Sequence, residues 1–192
     1  MARKKVNYRK PVYTLTDDDA IEFNRYYIKN TKRGRKVVWQ QRMILPMILL
    51  GYVILMLIFK FNSKPVYVFG AFVAAAAVAY GLACEKIVLN RQEAEIKRGG
   101  YNWDNIHPEP TTIDFAGDKI EASYKGQNKD FEYGDIMKVT CTDQAIYLWL
   151  NDTVAMQIPV RGFESEQDMS KLFDFLGEKC ENAELDDARG RG

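Results

Sequence analysis

Histidine is nearly absent from this chain, and cysteine is scarce. Of 192 residues one is histidine and three are cysteine. His107 stands alone, no Cys-x-x-Cys pair exists, and Cys84, Cys141 and Cys180 are widely separated. Zinc sites built from cysteine and histidine, and c-type haem attachment, therefore lack a sequence basis. Three scattered cysteines also suit a reducing compartment better than a disulfide framework. Equally missing are a P-loop, GxGxxG, HExxH, GxSxG and an EF-hand loop. Asp114, Asp118, Asp130 and Asp135 fall at turns and strand ends, where carboxylates are ordinary. The reading assigns no catalytic residue, no metal, no cofactor and no small-molecule ligand, and it expects a protein that is not an enzyme.

Charge is the next absence, and it is local. Met43 to Phe59 carries no charged residue and reaches about 25 Å as a helix. Phe61 extends the run to 43–61, because Lys60 near its end can snorkel. Pro65 to Cys84 is also uncharged and reaches about 30 Å. These two runs predict a transmembrane hairpin over 43–84, with spans 43–61 and 65–84. A cleaved signal peptide does not fit, since the first run begins more than forty residues into the chain. The spans hold no Asp, Glu, Lys, Arg or His, which argues against a transporter or proton relay.

Orientation follows from the cations. Lys29, Lys32, Arg33, Arg35, Lys36 and Arg42 precede the first span; Lys86, Arg91, Lys97 and Arg98 follow the second. The connecting loop has only Lys60 and Lys64. The positive-inside rule places both termini in the cytoplasm of a multi-pass plasma-membrane protein. Trp39 and Tyr80 mark the inner interface, and Phe59, Phe61 and Tyr67 the outer one. Gly70, Ala74, Ala75, Ala79 and Ala83 recur at spacings of four and predict helix–helix packing. The spans packing on each other is the leading explanation, and homodimerisation through the alanine face the second. Cys84 reads as a small buried side chain, with S-acylation the alternative.

The flanks differ in sign. Residues 1–42 hold twelve Lys and Arg against four Asp and Glu, whereas residues 105–180 hold seven against fourteen. A basic arm beside a membrane anchor faces anionic lipid, not nucleic acid. The acidic C-terminal region should not bind anionic lipid by itself. Residues 1–42 predict a short strand at Val12–Leu15 and an amphipathic helix over 17–30, started by Thr16 and Asp19 and stopped by Gly34. The stripe Ala20, Phe23, Tyr26 and Tyr27 reads as a contact surface. A juxtamembrane helix over 85–104 ends at Gly99-Gly100. From Thr111 short alternating runs predict an antiparallel meander, with Asn151-Asp152 as a hairpin turn. A helix over 166–179 follows, with Met169, Leu172, Phe173 and Leu176 on one face. Residues 181–192 read as a disordered tail. The fold class is α+β: a membrane hairpin, then a small antiparallel β domain closed by a C-terminal helix.

Two adjacent spans, then Phe131-Glu-Tyr-Gly-Asp-Ile-Met-Lys-Val139 and Ile158-Pro-Val-Arg-Gly-Phe163, then a final helix, resemble the YcxB-like family of bacterial membrane proteins. Tyr133, Ile136, Ile158, Pro159 and Phe163 carry the resemblance. It implies that residues 105–180 form a pleckstrin-homology-like (PH-like) domain, and that these motif residues are structural. The expected function is a membrane-anchored, non-catalytic adaptor or regulatory module that binds a protein partner or a copy of itself. The alternative is an accessory subunit of a membrane transport or secretion complex.

Overall fold

In the computed structural model, residues 8–59, 64–99, 110–115, 117–124 and 127–190 are described. Arg3, Lys4, Lys5, the loop 60–63, Lys125 and His107 lie outside them. The chain divides into two units, Met1–Phe23 with Tyr101–Gly192, and Asn24–Gly100. The division differs from the expected one, because the N-terminal residues belong with the β-rich region.

The first unit holds two four-stranded sheets. In one, β1 (Val12–Tyr13), β2 (Thr111–Asp114), β3 (Lys119–Tyr124) and β4 (Gln127–Glu132) form an antiparallel meander in that order. Val12 pairs with Thr112 and Tyr13 with Thr111, so β1 bonds to a strand far along the chain. The pairing continues upstream, where Phe115 N–H donates to Arg9 O and Ile113 N–H to Pro11 O. In the other sheet, β5 (Lys138–Cys141), β6 (Ala145–Trp149), β7 (Ala155–Pro159) and β8 (Glu184–Asp187) take the order β7-β6-β5-β8. At the β6–β7 turn, Asn151 Oδ1 accepts from the N–H groups of Thr153 and Val154, both at 2.8 Å. That side-chain mimic of a backbone turn is what suits asparagine to the corner.

The core between these elements is built from Ile113, Phe115, Ile120, Ile146, Leu148 and Ile158, with Leu172 and Leu176 from α4 (Glu166–Lys179). Ser165 caps α4 by accepting from Asp168 N–H at 3.2 Å. The buried stripe of α4 is wider than the sequence suggested, since Phe175 is also covered. Phe175 packs in the core edge-on to Tyr133, centroids 6.2 Å apart, with the Arg9 guanidinium 4.3 Å over its ring. The disordered tail expected over 181–192 is corrected at Glu184–Asp187, which is strand β8, parallel to β5. Lys138 Nζ draws it in with bonds to Glu184 at 2.8 Å and Asp186 at 3.1 Å. Leu185 sits over Gly177, its Cδ1 2.9 Å from where a Cβ there would stand.

The second unit is helical. α1 (Asp17–Asn30) crosses the division between units, and α2 (Lys32–Phe59) follows after the single residue Thr31. Thr31 caps α2, its Oγ1 accepting from Gly34 N–H at 2.9 Å. Gly34, expected as the stop of α1, instead lies in the first turn of α2. A Cβ there would fall 2.2 Å from Tyr27 O, so only glycine lets the two helix ends approach. α3 (Lys64–Lys97) runs antiparallel to α2: Gly70 lies against Tyr52, Gly81 against Arg42, and Cys84 Sγ is 3.8 Å from Val38 O. Gly99, at φ 68°, ends the run beyond α3, donating to Ile96 O at 2.9 Å.

Candidate functional site

The first unit's most distinctive chemistry lies where the start of α1 meets the outer face of the β5–β8 sheet. Thr16 and Asp19 close the helix N-terminus reciprocally. Thr16 N–H donates to Asp19 Oδ2 at 2.7 Å, and Asp19 N–H to Thr16 Oγ1 at 3.4 Å. The same carboxylate receives Arg161 in a bidentate pair, with Nη1 2.5 Å from Oδ1 and Nη2 bonded to Oδ2. Arg161 Nη2 also donates to Thr14 O at 2.6 Å, and Gln157 Nε2 to Asp19 O at 3.1 Å. Burial of Asp19 works to raise its pKa, but the Arg161 and Thr16 bonds outweigh it and hold the carboxyl below its ordinary value.

Beside this clasp, the Phe23 ring lies 5.6 Å from Tyr147 and 5.8 Å from Trp149, centroid to centroid. Trp149 Nε1 donates to the buried Thr140 Oγ1 at 3.1 Å. Every residue of β6 is therefore buried: Ile146 and Leu148 on the core side, Tyr147 and Trp149 under α1. Ala20 is buried and Phe23 lies on the sheet, so this first part of the stripe is a contact surface within the β-rich unit. This arrangement positions a helix; it presents no nucleophile. Burial pushes the Cys141 and Cys180 thiols up to about 11, which keeps both protonated. Among the described residues no group of three His, Cys, Asp or Glu side chains is arranged to hold a metal.

No family model, curated protein or solved structure matches this chain.

The motif residues come together in the β-rich unit, in or beside its core. Tyr133 opens a 3-10 turn and donates from its hydroxyl to Phe115 O at 3.1 Å, and burial pushes its pKa up to about 12. Ile136 and Ile158 are fully covered. Pro159 ends β7 and leads into a second 3-10 turn, after which Phe163 packs partly buried against the core. Arg161, between them, is the residue that sequence reasoning passed over. Its partner Asp19 is 142 positions away, and no local pattern links them. The uncharged run Ala145–Trp149 was the one legible clue, because a strand covered on both faces has no polar side to alternate with.

In the helical unit, two helices are long and apolar enough to cross a membrane, and only 6% and 11% of their apolar windows are buried. A core helix of a water-soluble protein would be mostly covered. Here Met47, Ile48, Val68, Phe72 and Leu82 are exposed, Leu82 by 83%. On α3 the covered or half-covered positions Gly70, Ala74, Ala77, Gly81, Cys84 and Val88 recur every three or four residues. Opposite them on α2 lie Val38, Leu45, Leu49, Tyr52 and Met56 at the same rhythm. Small residues on one helix facing large ones on the other is the pattern of close antiparallel packing. Gly70 and Ala74 thus sit on the α2 side of α3, while Ala75, Ala79 and Ala83 are exposed away from it. Cys84 is fully covered, matching the buried reading of that thiol. The cations Lys32, Arg33, Arg35, Lys36, Arg42 and Lys86 gather at one end of the pair, with Trp39 exposed among them.

Proposed function

We propose that this protein is a membrane-anchored, non-catalytic adaptor that presents a small PH-like domain on the cytoplasmic face. One observation carries the reading. β1 precedes α2 and α3 in the chain, β2 follows them, and the two strands pair. A sheet whose neighbouring strands flank two spans closes only if both strands lie in the same compartment, which an even number of crossings supplies. The sheet thus supports a transmembrane hairpin with both ends on one side, and the cations at one end of the helix pair support the cytoplasm as that side. Four antiparallel strands, three more, and a closing helix support the PH-like assignment and the resemblance to the YcxB-like family. The non-catalytic part rests on the absence of catalytic motifs in the sequence, and the adaptor role on analogy with a fold class used for binding.

The test is topological. A reporter fused before Met1 and one fused after Gly192 should both behave as cytoplasmic, and a cysteine placed at Ser63 should label from outside. External activity of either fusion would overturn the reading. A second reading, an accessory subunit of a membrane transport or secretion complex, draws on Ala75, Ala79 and Ala83, which form an exposed small-residue face on α3. Crosslinking in native membranes separates the two: a soluble partner fits the adaptor, a polytopic one the accessory subunit.

A further inference from the structure

Strand β8 differs in kind from every other strand of the β-rich unit. It is the one parallel strand among the described pairs, and it is four residues long. Among the described residues it also lies at the edge of its sheet. Glu184, Leu185 and Asp187 are exposed, Leu185 by 48%. What lies beneath is very different. Val139, Thr140 and Cys141 of β5 are completely covered.

The attachment combines a four-residue parallel ladder with backbone and side-chain bonds at its two ends. Glu184 N–H donates to Met137 O at 2.9 Å and Ala188 N–H to Cys141 O at 2.7 Å. Lys138 Nζ reaches Glu184 and Asp186. Arg189 bonds to Asp187 at 2.8 Å and to Ser170 Oγ at 2.7 Å, and Gly190 N–H to Asp143 Oδ2 at 3.0 Å. Lys138 and Asp186 are half-buried and Glu184 is exposed, and ion pairs open to solvent are screened by salt. Parallel pairing is also slightly weaker per residue than antiparallel. A short edge strand held in this way opens locally before the rest of the fold.

We propose that the edge of β5 is an acceptor site for an extended acidic segment of a partner protein, and that β8 is its resident competitor. The partner's chemistry is read from what β8 presents. Acidic side chains two residues apart lie on one side, where Lys138 takes both, and a leucine between them points to the Gly177 surface of α4. Backbone ladder bonds give affinity and the alternate side chains give selectivity, as in other strand-addition sites. The proposal builds on the adaptor reading by assigning its partner surface, yet its test is read at β8 and does not depend on membrane topology.

The probe is a fluorescein-labelled peptide, Ala-Glu-Leu-Asp-Asp-Ala-Arg-Gly, the sequence of residues 183–190. It is titrated by anisotropy into three detergent-purified proteins: the full chain, a chain ending at Ala183, and full-length Leu185→Asp. A strand tethered in cis competes at an effective concentration in the millimolar range, so both altered chains should bind the peptide at least about tenfold more tightly than the full chain. Binding should weaken in high salt and on adding Lys138→Gln, and a scrambled peptide should not bind. Failure of both altered chains to bind while their near-UV circular dichroism stays native would overturn the proposal, as would equal binding of the scrambled peptide. Loss of the near-UV signal in both would overturn it too, because a strand the fold cannot release is no competitor. A full chain that is dimeric by light scattering, and monomeric once cut at Ala183, would assign the edge to a second copy instead.

Discussion

Leu148 on β6 and Leu82 on α3 are the same residue type in opposite circumstances. Leu148 is completely covered; Leu82 is 83% exposed. The β-rich unit hides its apolar side chains between sheets and helices, with charged residues at its turns and edges. The helix pair hides only the narrow seam between α2 and α3 and leaves many of its large side chains, such as Phe72 and Leu82, exposed. On the membrane-anchored reading proposed above, the difference lies in the solvent each unit meets. In water, apolar area is driven inward at about 25 cal/mol per Å². In lipid that drive vanishes, and contact between helices depends on packing of small residues instead.

An aspartate at each leucine gives the largest expected effect and breaks the comparison most sharply. Leu148→Asp places an unpaired charge in the core, which costs on the order of 3–5 kcal/mol and should abolish the native near-UV signal. Leu82→Asp should leave that signal intact in detergent but lower the fraction retained in membranes. Leu82 lies near the cation end of α3, so its cost falls below the roughly 2.5–3.5 kcal/mol of an aspartate at the centre of a span. Equal loss of fold in both variants would place Leu82 in a water-excluded protein core.

The β-rich unit is held in part by a polar clasp and the helix pair by a largely apolar seam, and removing the charge of the clasp sharpens that contrast. Asp19→Asn should destabilise the β-rich unit by about 1–3 kcal/mol in urea unfolding, since Arg161 and the helix cap share that one carboxylate. The acid limb should change as well. With the folded pKa held below the unfolded one, near about 3.9, the contribution is fully present above that value and disappears as pH falls through the lower folded value. The wild-type advantage over Asp19→Asn should therefore shrink toward the bottom of that range. A difference that stays constant from neutrality to strong acid would show that the ion pair is not what matters.

The smallest expected effect is within α3. Ala77→Leu adds bulk to the buried seam and should cost about 1–3 kcal/mol of helix-pair stability. Ala75→Leu, on the exposed side, should leave the pair unchanged. Thermal stability in detergent reports both. A comparable loss at Ala75 would mean that the alanine face is also packed, against a second copy or another protein.

How legible each part was follows from how local its cause is. The Asn151 turn, α4 with its face of Met169, Leu172, Phe173 and Leu176, and the helices that hold the described parts of the two apolar runs are all written in short stretches and stand where the sequence placed them. Gly34 was misjudged because glycine stops helices and also lets them cross, and only the neighbour at Tyr27 tells which. The tail was misjudged because Glu-Leu-Asp-Asp has no strand propensity of its own. Lys138 and Gly177 supply the reasons for it to lie down.

By itself, the sequence determined the apolar helices, the sign of the charge on either side of them, and the strand and helix periods of the C-terminal region. Each is a property of consecutive residues and the solvent they meet. Only the tertiary structure decided that β1 closes the sheet begun at Thr111, that Arg161 holds Asp19, that Ala77 and not Ala75 faces α2, and that the last residues form a strand. Those pairings join positions far apart in the chain. Their energy comes from contacts that exist only after the chain has folded back on itself, so no window of the sequence contains them.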